Sequence, residues 1–297
     1  MLNIFICTKP LQIMTCMIIA SNSKIHTLII VDLFKDSKTV SLSEKLKKYF
    51  LNVVLVKSRN EALKLCEIIK PKTLFIDSDI GLIPLIRFYR LKLFSRNTSI
   101  SVYEEGIGTY RQDLFKNPIK KLLYNSIGAA TYFGGCALTT NIHVYDLDNY
   151  KEQFPLSGGK PLRIRQDFTK WIAENELDLT DIFSPNFTIP TSPKNTETSI
   201  YLSNWNLDRE LINKLSKNKK LYIKPHPHIK EEMKKTFSNN PNIHFFPAQI
   251  PAELIIIKLS AAFDKITIYH HNSSALHYLT PTNVTSIDID SLPRDHS

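Results

Sequence analysis

The feature that most restricts how this chain can fold is a regular alternation of short apolar runs with longer amphipathic stretches. Short runs rich in β-branched and aromatic residues predict strands at 2–7, 26–32, 53–56, 73–77 and 99–103. Between the first of them lie stretches that predict helices, at 10–20, 43–50 and 61–69. Strands that alternate with helices in this way form a parallel sheet with helices on its faces. The first half is therefore predicted to be an α/β domain.

The same pattern restarts in the second half, with strands predicted at 198–202, 220–223, 242–246 and 265–269 and helices at 208–215, 230–237 and 251–259. The segment before this restart contains Pro185, Pro190 and Pro193 among Ser, Thr and Asn residues, which is typical of an exposed connection. We predict an N-terminal Rossmann-like domain over 1–184, a linker over 185–198 and a C-terminal Rossmann-like domain over 199–297. The two parallel sheets are expected to face a central cleft.

The charge of the chain favours an anionic partner. The sequence has 38 Lys and Arg residues against 28 Asp and Glu residues, a formal net charge of +10. Nucleic acid, an anionic membrane surface and a phosphorylated substrate all fit this sign. The basic charge makes a nucleic-acid-binding protein the alternative from another class, although the sequence contains no recognised nucleic-acid module. A dinucleotide-binding loop is not indicated, because the one G-x-G, at Gly106 and Gly108, has Arg111 where the third glycine belongs.

The cysteines and the N-terminus predict a soluble protein of the cytoplasm. The four cysteines are scattered without a C-x-x-C pair, which indicates reduced thiols and no zinc site. Two basic apolar stretches, 83–94 with Arg87 and Arg90 and 117–124 with Lys120 and Lys121, leave two interpretations open. They could pack on the sheet with a basic outer face, or lie on an acidic membrane surface. We expect a peripheral contact with the inner face of the cytoplasmic membrane.

Two adjacent carboxylates directly follow the predicted strand 99–103. Glu104 and Glu105 end this strand, and Gly106 and Gly108 then force a turn. Neighbouring strand residues point to opposite faces, so at most one of the two carboxylates enters a given cleft. Active sites of parallel sheets lie just past the carboxyl ends of the strands. One of the pair is therefore a candidate general base, and a solvated acidic turn is the alternative.

The second half carries a rigid histidine motif, Lys224-Pro225-His226-Pro227, at the end of a predicted strand. Two prolines restrict the backbone on either side of His226. An imidazole and an ammonium group at a strand's carboxyl end are suited to gripping a phosphate or protonating a leaving group. A plain strand-to-helix turn with an incidental histidine is the alternative.

Three further features have both a functional and a structural interpretation. Ser273 and Ser274 follow a predicted strand and open a predicted helix, where hydroxyls and backbone N–H groups bind phosphate or simply cap the helix. Glu253, early in its helix, can hold a ribose or complement the helix dipole. Three D-x-D patterns, at Asp77-Ser78-Asp79, Asp146-Leu147-Asp148 and Asp288-Ile289-Asp290, could each hold a divalent ion, and a metal-dependent transferase through the first pair is a second enzyme hypothesis.

Taken together, Val102–Tyr110, the Ile223–Pro227 motif and the pair Ser273-Ser274 resemble the bacterial sialyltransferases. The likeness is to the polysialyltransferase family of capsule synthesis, with the lipooligosaccharide sialyltransferases as relatives. These families carry an acidic-acidic-Gly motif, a His-Pro motif and a Ser/Thr pair in this order. The early segment Cys7–Gln12 also looks like the loop after strand one in the lipooligosaccharide enzymes, which draws Thr8 and Gln12 into the acceptor side together with Gly106 and Gly108.

The resemblance implies a GT-B fold and an inverting, metal-independent transfer from a CMP-activated nonulosonic acid. It implies that Glu104 or Glu105 deprotonates the acceptor hydroxyl, with Glu104 preferred because the first acid is the favoured base in the related families. His226 would contact the CMP phosphate and assist its departure, beside Lys224, Pro225 and Pro227. Ser273 and Ser274 would hold the phosphate, and Glu253 the ribose. The expected partners are a CMP-sugar donor and a glycan or glycolipid acceptor, without a cofactor; a chain-elongating polysialyltransferase is the alternative within the class.

Overall fold

The computed structural model describes residues 2–20, 25–34, 36–164, 167–189, 196–226 and 229–291. The chain divides into two compact units, Met1–Gln166 and Asp167–Ser297. Each unit is built on its own parallel sheet, as the alternation of short apolar runs and helical stretches predicts.

The first unit contains a seven-stranded parallel sheet of order β3-β2-β1-β4-β5-β6-β7. Asn3 on β1 is in register with His26 on β2 and with Thr73 on β4, so the chain builds outward from β1 on both sides. The carboxyl ends of β1 and β4 meet where the strand order reverses, which is the usual ligand position in open α/β sheets. The strands are β1 Asn3–Cys7, β2 His26–Val31, β3 Asn52–Val56, β4 Thr73–Ile76, β5 Ser99–Tyr103, β6 Asn141–Val144 and β7 Lys160–Arg163.

Helices cover both faces of this sheet, because its strands are apolar on both sides. On one face Ile4, Ile29 and Ile76 are fully buried in a shared cluster, and Phe5 and Leu28, which alternate with them along the strands, are buried on the other face. Each such side chain contributes roughly 1.5–3 kcal/mol of hydrophobic stabilisation. The helices are α1 Pro10–Ala20, α2 Ser37–Ser41, α3 Arg59–Ile69, α4 Leu82–Phe94, α5 Pro118–Ser126 and α6 Leu147–Gln153, with 3-10 turns at Glu44–Lys48 and Ile107–Tyr110.

The second unit contains a five-stranded parallel sheet of order β10-β9-β8-β11-β12. Leu202 on β8 pairs with Lys224 on β9 and with His270 on β11, so the loops after these three strands lie side by side. The strands are β8 Glu197–Leu202, β9 Leu221–Lys224, β10 Ile243–Phe245, β11 Lys265–His270 and β12 Val284–Asp288. The helices are α7 Phe168–Glu174, α8 Glu176–Phe183, α9 Arg209–Ser216, α10 Glu231–Lys235 and α11 Ala252–Ala262.

The border between the units differs from the predicted domain boundary. We expected the first domain to run to residue 184, but the second unit begins at Asp167. The reason is that α7 and α8 contact α11, most of whose apolar residues are buried, and Lys258 of α11 forms an ion pair with Glu176 of α8. The two helices therefore complete the core of the second unit. Of the predicted linker, residues 190–195 lie outside the described residues.

Several local predictions are wrong in detail. The helix expected at 43–50 is a 3-10 turn preceded by the short helix α2, and the helix expected after Ser274 is a three-residue 3-10 turn, Ser274–Leu276. The sequence interpretation also missed β6, β7 and β12. Within the described residues, no helix is both long and apolar enough to cross a membrane.

Candidate functional site

Glu104 occupies a formed carboxylate site at the carboxyl end of β5. Its backbone N–H donates to the carbonyl of His143 on β6 at 2.9 Å, which extends the ladder by one residue. Its Oε2 accepts hydrogen bonds from the Tyr110 hydroxyl at 2.5 Å and from the Tyr145 N–H at 2.7 Å. The residue is only 2% exposed. Burial, together with the adjacent Glu104 carboxylate, raises the pKa of Tyr110, so the phenol stays protonated and keeps donating.

The turn that brings Tyr110 back to Glu104 depends on Gly106. This glycine has φ 136°, a backbone conformation that L side chains rarely adopt, and its carbonyl accepts the Thr109 N–H at 2.9 Å. A Cβ at Gly108 would meet nothing within 4 Å, so Gly108 is not required by crowding. Of the two predicted glycines, only Gly106 is needed by the turn.

Glu105 points to different partners, as the alternation of strand residues predicts. Its carboxylate forms an ion pair with Lys9, just before α1, and its side chain is 26% exposed. Its backbone N–H donates to the Thr109 hydroxyl at 3.0 Å. The predicted acidic pair is thus one buried, oriented carboxylate and one partly exposed, ion-paired carboxylate.

Thr8 and Gln12 lie at the same edge of the sheet and converge on a buried aspartate. The Thr8 hydroxyl and the Gln12 amide each donate to Asp77 Oδ2 at 3.0 Å, and the Thr8 N–H donates to Gln12 Oε1 at 2.6 Å. Arg59, at the start of α3, donates to the same Asp77 oxygen at 2.5 Å. Burial raises the pKa of Asp77, an effect that the Arg59 charge opposes.

Four residues of this edge were missed by the sequence analysis: Arg59, Lys9, Tyr110 and Tyr145. Arg59 and Tyr145 lie outside any motif or periodic pattern, and Lys9 lies within the Cys7–Gln12 segment without a role predicted for it. Tyr110 was included only as the last residue of the acidic motif. Their contacts with Asp77, Glu105 and Glu104 arise from the fold, which brings together loops that are distant in the chain.

The Asp77-Ser78-Asp79 pattern does not form a joint cation site. Asp79 is fully buried and accepts hydrogen bonds from Gly134 N at 2.9 Å, Cys136 N at 3.0 Å and the Thr139 hydroxyl at 2.7 Å. Asp77 is engaged separately by Arg59. The other two patterns serve structure as well, since Asp146 caps α6 and Asp290 binds His271 at 2.8 Å. Among the residues that the structure describes, no group of three or more His, Cys, Asp or Glu side chains could hold a metal ion.

In the second unit, Lys224 and His226 are held in place at the carboxyl end of β9. The Lys224 ammonium donates to the carbonyls of Pro225 and Ala248, both at 2.9 Å, and so ties this loop to the segment before α11. Burial lowers the pKa of Lys224 to about 8, although the nearby Glu253 carboxylate acts in the opposite direction. The His226 N–H donates to the Ser203 hydroxyl at 3.0 Å. Pro227 lies outside the described residues.

Trp205, on the loop after β8, is a site residue that the sequence analysis did not find. Its indole packs against the His226 imidazole, with ring centroids 4.4 Å apart and planes inclined by 34°. The residue is nevertheless 65% exposed, which is unusual for so large an aromatic side chain. A lone tryptophan in a polar loop gives no periodic signal. An exposed aromatic face beside an imidazole can stack on a planar or sugar ring.

Glu253 and the serine pair complete this edge. Glu253 is buried at the start of α11, and burial raises its pKa. The Ser273 hydroxyl accepts the Ala275 N–H at 3.4 Å, and the Ser273 N–H donates to His270 Nδ1 at 3.2 Å, so Ser273 caps the short turn that Ser274 begins. The predicted nucleotide residues that the structure describes are therefore gathered along one sheet edge, and the predicted acceptor residues along the edge of the other sheet.

Comparison with solved structures identifies the fold. The chain is similar to a UDP-GlcNAc 2-epimerase from Neisseria meningitidis bound to UDP-GlcNAc, with 10% identity, coverage of 97% of this chain and 82% of that chain, and a TM-score of 0.60. It is also similar to the GT-B domain of a sialyltransferase from Photobacterium damselae, with 14% identity, coverage of 95% and 89%, and a TM-score of 0.50. No protein-family model and no curated protein sequence matches the chain. The chain therefore has the GT-B fold with two Rossmann-like domains, as predicted.

Proposed function

We propose that this chain is an inverting, metal-independent sialyltransferase that moves a nonulosonic acid from a CMP donor to a bacterial surface glycan or glycolipid. The observation that carries the proposal is the position of its motifs. The acidic pair lies at the carboxyl edge of one parallel sheet, and Lys224 and His226, the serine pair and Glu253 lie along the second. This is where open α/β sheets bind ligands.

On the acceptor side, Glu104 takes the proton of the acceptor hydroxyl as its oxygen attacks the anomeric carbon of the donor sugar. The bond from that carbon to the phosphate oxygen breaks, and CMP leaves with the electron pair. Glu104 is preferred because two donors, the Tyr110 hydroxyl and the Tyr145 N–H, fix its direction. Glu105 is the alternative base, and its pairing with Lys9 would first have to open.

On the donor side, the leaving phosphate monoester gains negative charge that the second sheet edge can meet. His226 would donate a hydrogen bond or proton to it, and the hydroxyls of Ser273 and Ser274 would bind its oxygens. Lys224 would hold the His226 loop in place through the Pro225 and Ala248 carbonyls. Glu253 would accept from the ribose, and Trp205 would stack on the pyrimidine ring.

The decisive experiment is calorimetric titration with CMP, CDP, UDP and GDP in the presence of EDTA. We expect CMP to bind and the diphosphates to bind at least about tenfold more weakly, because the site is proposed for a single phosphate. His226→Ala and Trp205→Ala should both weaken CMP binding, whereas Trp205→Phe should largely retain it. His244→Ala, which removes an exposed imidazole on β10, is the matched control. Binding that requires added metal, or a preference for UDP, would overturn the proposal.

A second candidate is a sugar-nucleotide epimerase, because the chain shares the GT-B fold with the UDP-GlcNAc 2-epimerase as well. An epimerase of this kind requires UDP binding, so the same titration separates the two candidates.

Within the sialyltransferase class, single transfer and chain elongation are separated by mass spectrometry of the products. A ladder of added sugars on one acceptor would indicate a polysialyltransferase, and a single addition a lipooligosaccharide-type enzyme.

A further inference from the structure

The first unit carries a large exposed apolar surface on two helices, which we name the α4–α5 surface. None of its members takes part in the chemistry proposed for the carboxylate site. On α4 the side chains of Leu85, Phe88 and Leu91 are buried, while other apolar side chains of the same helix are exposed. The surface consists of Leu82, Ile83, Ile86, Tyr89, Leu93 and Phe94 of α4, Ile119, Leu122 and Leu123 of α5, and Ile127 just after α5.

The helix α5 exposes its apolar residues even more completely than α4. None of its residues is buried, although it contains Ile119, Leu122 and Leu123, all of them well exposed. A helix in water is normally stabilised by burying its apolar face, but within its unit α5 packs only the partly buried Tyr124 against the core. The start of α4 lies near the segment after α5, because the N–H of Gly81, just before α4, donates to the carbonyl of Ala130, four residues after α5, at 2.9 Å. The exposed side chains at the start of α4 therefore lie on the same side of the unit as the end of α5, and the rest of α4 extends this region.

The charged residues around this region indicate which kind of partner binds to it. Neither 80–103 nor 114–145 contains an acidic residue, while basic side chains accompany both helices. Lys116, Lys120 and Lys121 are exposed on or beside α5, and Arg96 is exposed just beyond α4. The two arginines within α4, Arg87 and Arg90, pair with Glu67 of α3, so the excess positive charge lies mainly beside α5. An apolar face bordered by lysines matches the interface of an anionic bilayer.

We propose that the α4–α5 surface docks this protein onto a membrane that contains anionic lipids, with the apolar side chains in the interfacial region and the lysines at the headgroups. A second copy of the chain fits less well. In a two-fold dimer the same patch faces itself, which would bring the lysines of both copies together. The inference does not rest on the proposed transferase activity, since it uses neither sheet edge.

The test is co-sedimentation with vesicles of phosphatidylcholine alone and of phosphatidylcholine with about one third phosphatidylglycerol. We expect binding to the mixed vesicles that weakens at high salt, and little binding to the neutral ones. Ile83→Ser/Ile86→Ser and Leu122→Ser/Leu123→Ser should each weaken binding at least about tenfold. Lys120→Gln/Lys121→Gln should weaken it about tenfold or more at low salt.

Matched controls change equally exposed residues elsewhere. Leu42→Ser/Leu51→Ser and Lys217→Gln/Lys220→Gln alter exposed side chains outside the surface and should leave vesicle binding unchanged. Light scattering of the free protein gives the oligomeric state. The inference would be overturned if the wild-type protein bound neither kind of vesicle, or if the variants of the α4–α5 surface bound as well as the wild type. A wild-type dimer that these variants convert to a monomer without any vesicle binding would also overturn it.

Discussion

At the scale of single residues, Glu104 and Glu105 show that two neighbouring carboxylates at the end of a strand have different burial and different partners. Glu104 is buried and held by the Tyr110 hydroxyl and the Tyr145 N–H, while Glu105 pairs with Lys9 and is partly exposed. The alternation of side chains along β5 is enough to predict that the two differ. The partners of Glu104 come from a 3-10 turn and from the residue after β6, so the sequence motif alone does not reveal how either carboxylate is held.

Glu104→Gln is expected to lower the transfer rate by about 10²–10⁴-fold, because the amide cannot accept the acceptor proton. CMP binding should change little, since Glu104 belongs to the first unit and the proposed nucleotide residues to the second. Initial rates and CMP calorimetry on the same preparation measure the two effects. Glu44→Gln, on an exposed turn, is the control. An inactive Glu105→Gln beside an active Glu104→Gln would assign the base to Glu105.

Lys224 predicts a pH dependence of stability. Burial lowers its pKa from 10.5 to about 8 in the folded protein, so the unfolded chain binds this proton more tightly between those values. The cost of burying the charge is fully present below pH 8 and is lost as the pH rises toward 10.5. Relative to Lys224→Met, the wild type should therefore gain roughly 3 kcal/mol of unfolding free energy over this interval.

Tryptophan fluorescence in urea gives this measurement cleanly, because Trp171 and Trp205 both lie in the second unit. Lys220→Met, which changes an exposed lysine just before the same strand, is the matched control. A difference between wild type and Lys224→Met that stays constant from about pH 7.5 to 10.5 would contradict the assigned burial.

At the scale of elements, the parallel strands that position the sites could be predicted from short apolar runs between helical stretches. The strands β6, β7 and β12 could not. The β6 segment Asn141–Val144 is apolar at only two of its four positions, and β7 contains Pro161 with Lys160 and Arg163 at its ends, a composition tolerated at a sheet edge. Their pairing depends on neighbours already in place, which local sequence does not report. The site residues that belong to motifs were predicted, whereas Arg59 and Trp205 lie outside any motif.

Asp77 joins three elements, because it accepts from Thr8 after β1, from Gln12 in α1 and from Arg59 in α3. Asp77→Ala should destabilise this edge of the sheet by about 1–3 kcal/mol, since it leaves buried donors without an acceptor. Hydrogen exchange of peptides from β1 and α1 measures the loss locally. Asp113→Ala, which breaks an exposed pair with Arg111, should shift exchange little. Equal exchange in both variants would show that Asp77 does not hold the elements together.

At the scale of the whole molecule, the position of α7 and α8 defines the second unit. A fragment of residues 167–297 keeps these helices on α11 and is expected to fold and to bind CMP. A fragment of residues 185–297, cut at the boundary predicted from the prolines, uncovers apolar residues of α11 and should aggregate or remain unfolded. Circular dichroism and calorimetry distinguish the two. A well-folded shorter fragment would place α7 and α8 outside the unit.

Strand order also determines how the chain can assemble while it is being synthesised. In the first sheet β1 comes first, and every later strand pairs with one already made: β2 and β3 on one side, β4 to β7 on the other. In the second sheet β8 comes first, β9 and β10 are added on one side of it, and β11 and β12 on the other. Each strand that the structure describes, apart from the first of its sheet, has a neighbour that is synthesised before it. Each new strand can therefore pair soon after it leaves the ribosome. The first unit can complete its sheet before the strands of the second are synthesised, and we expect this order to reduce strand exchange between the two parallel sheets.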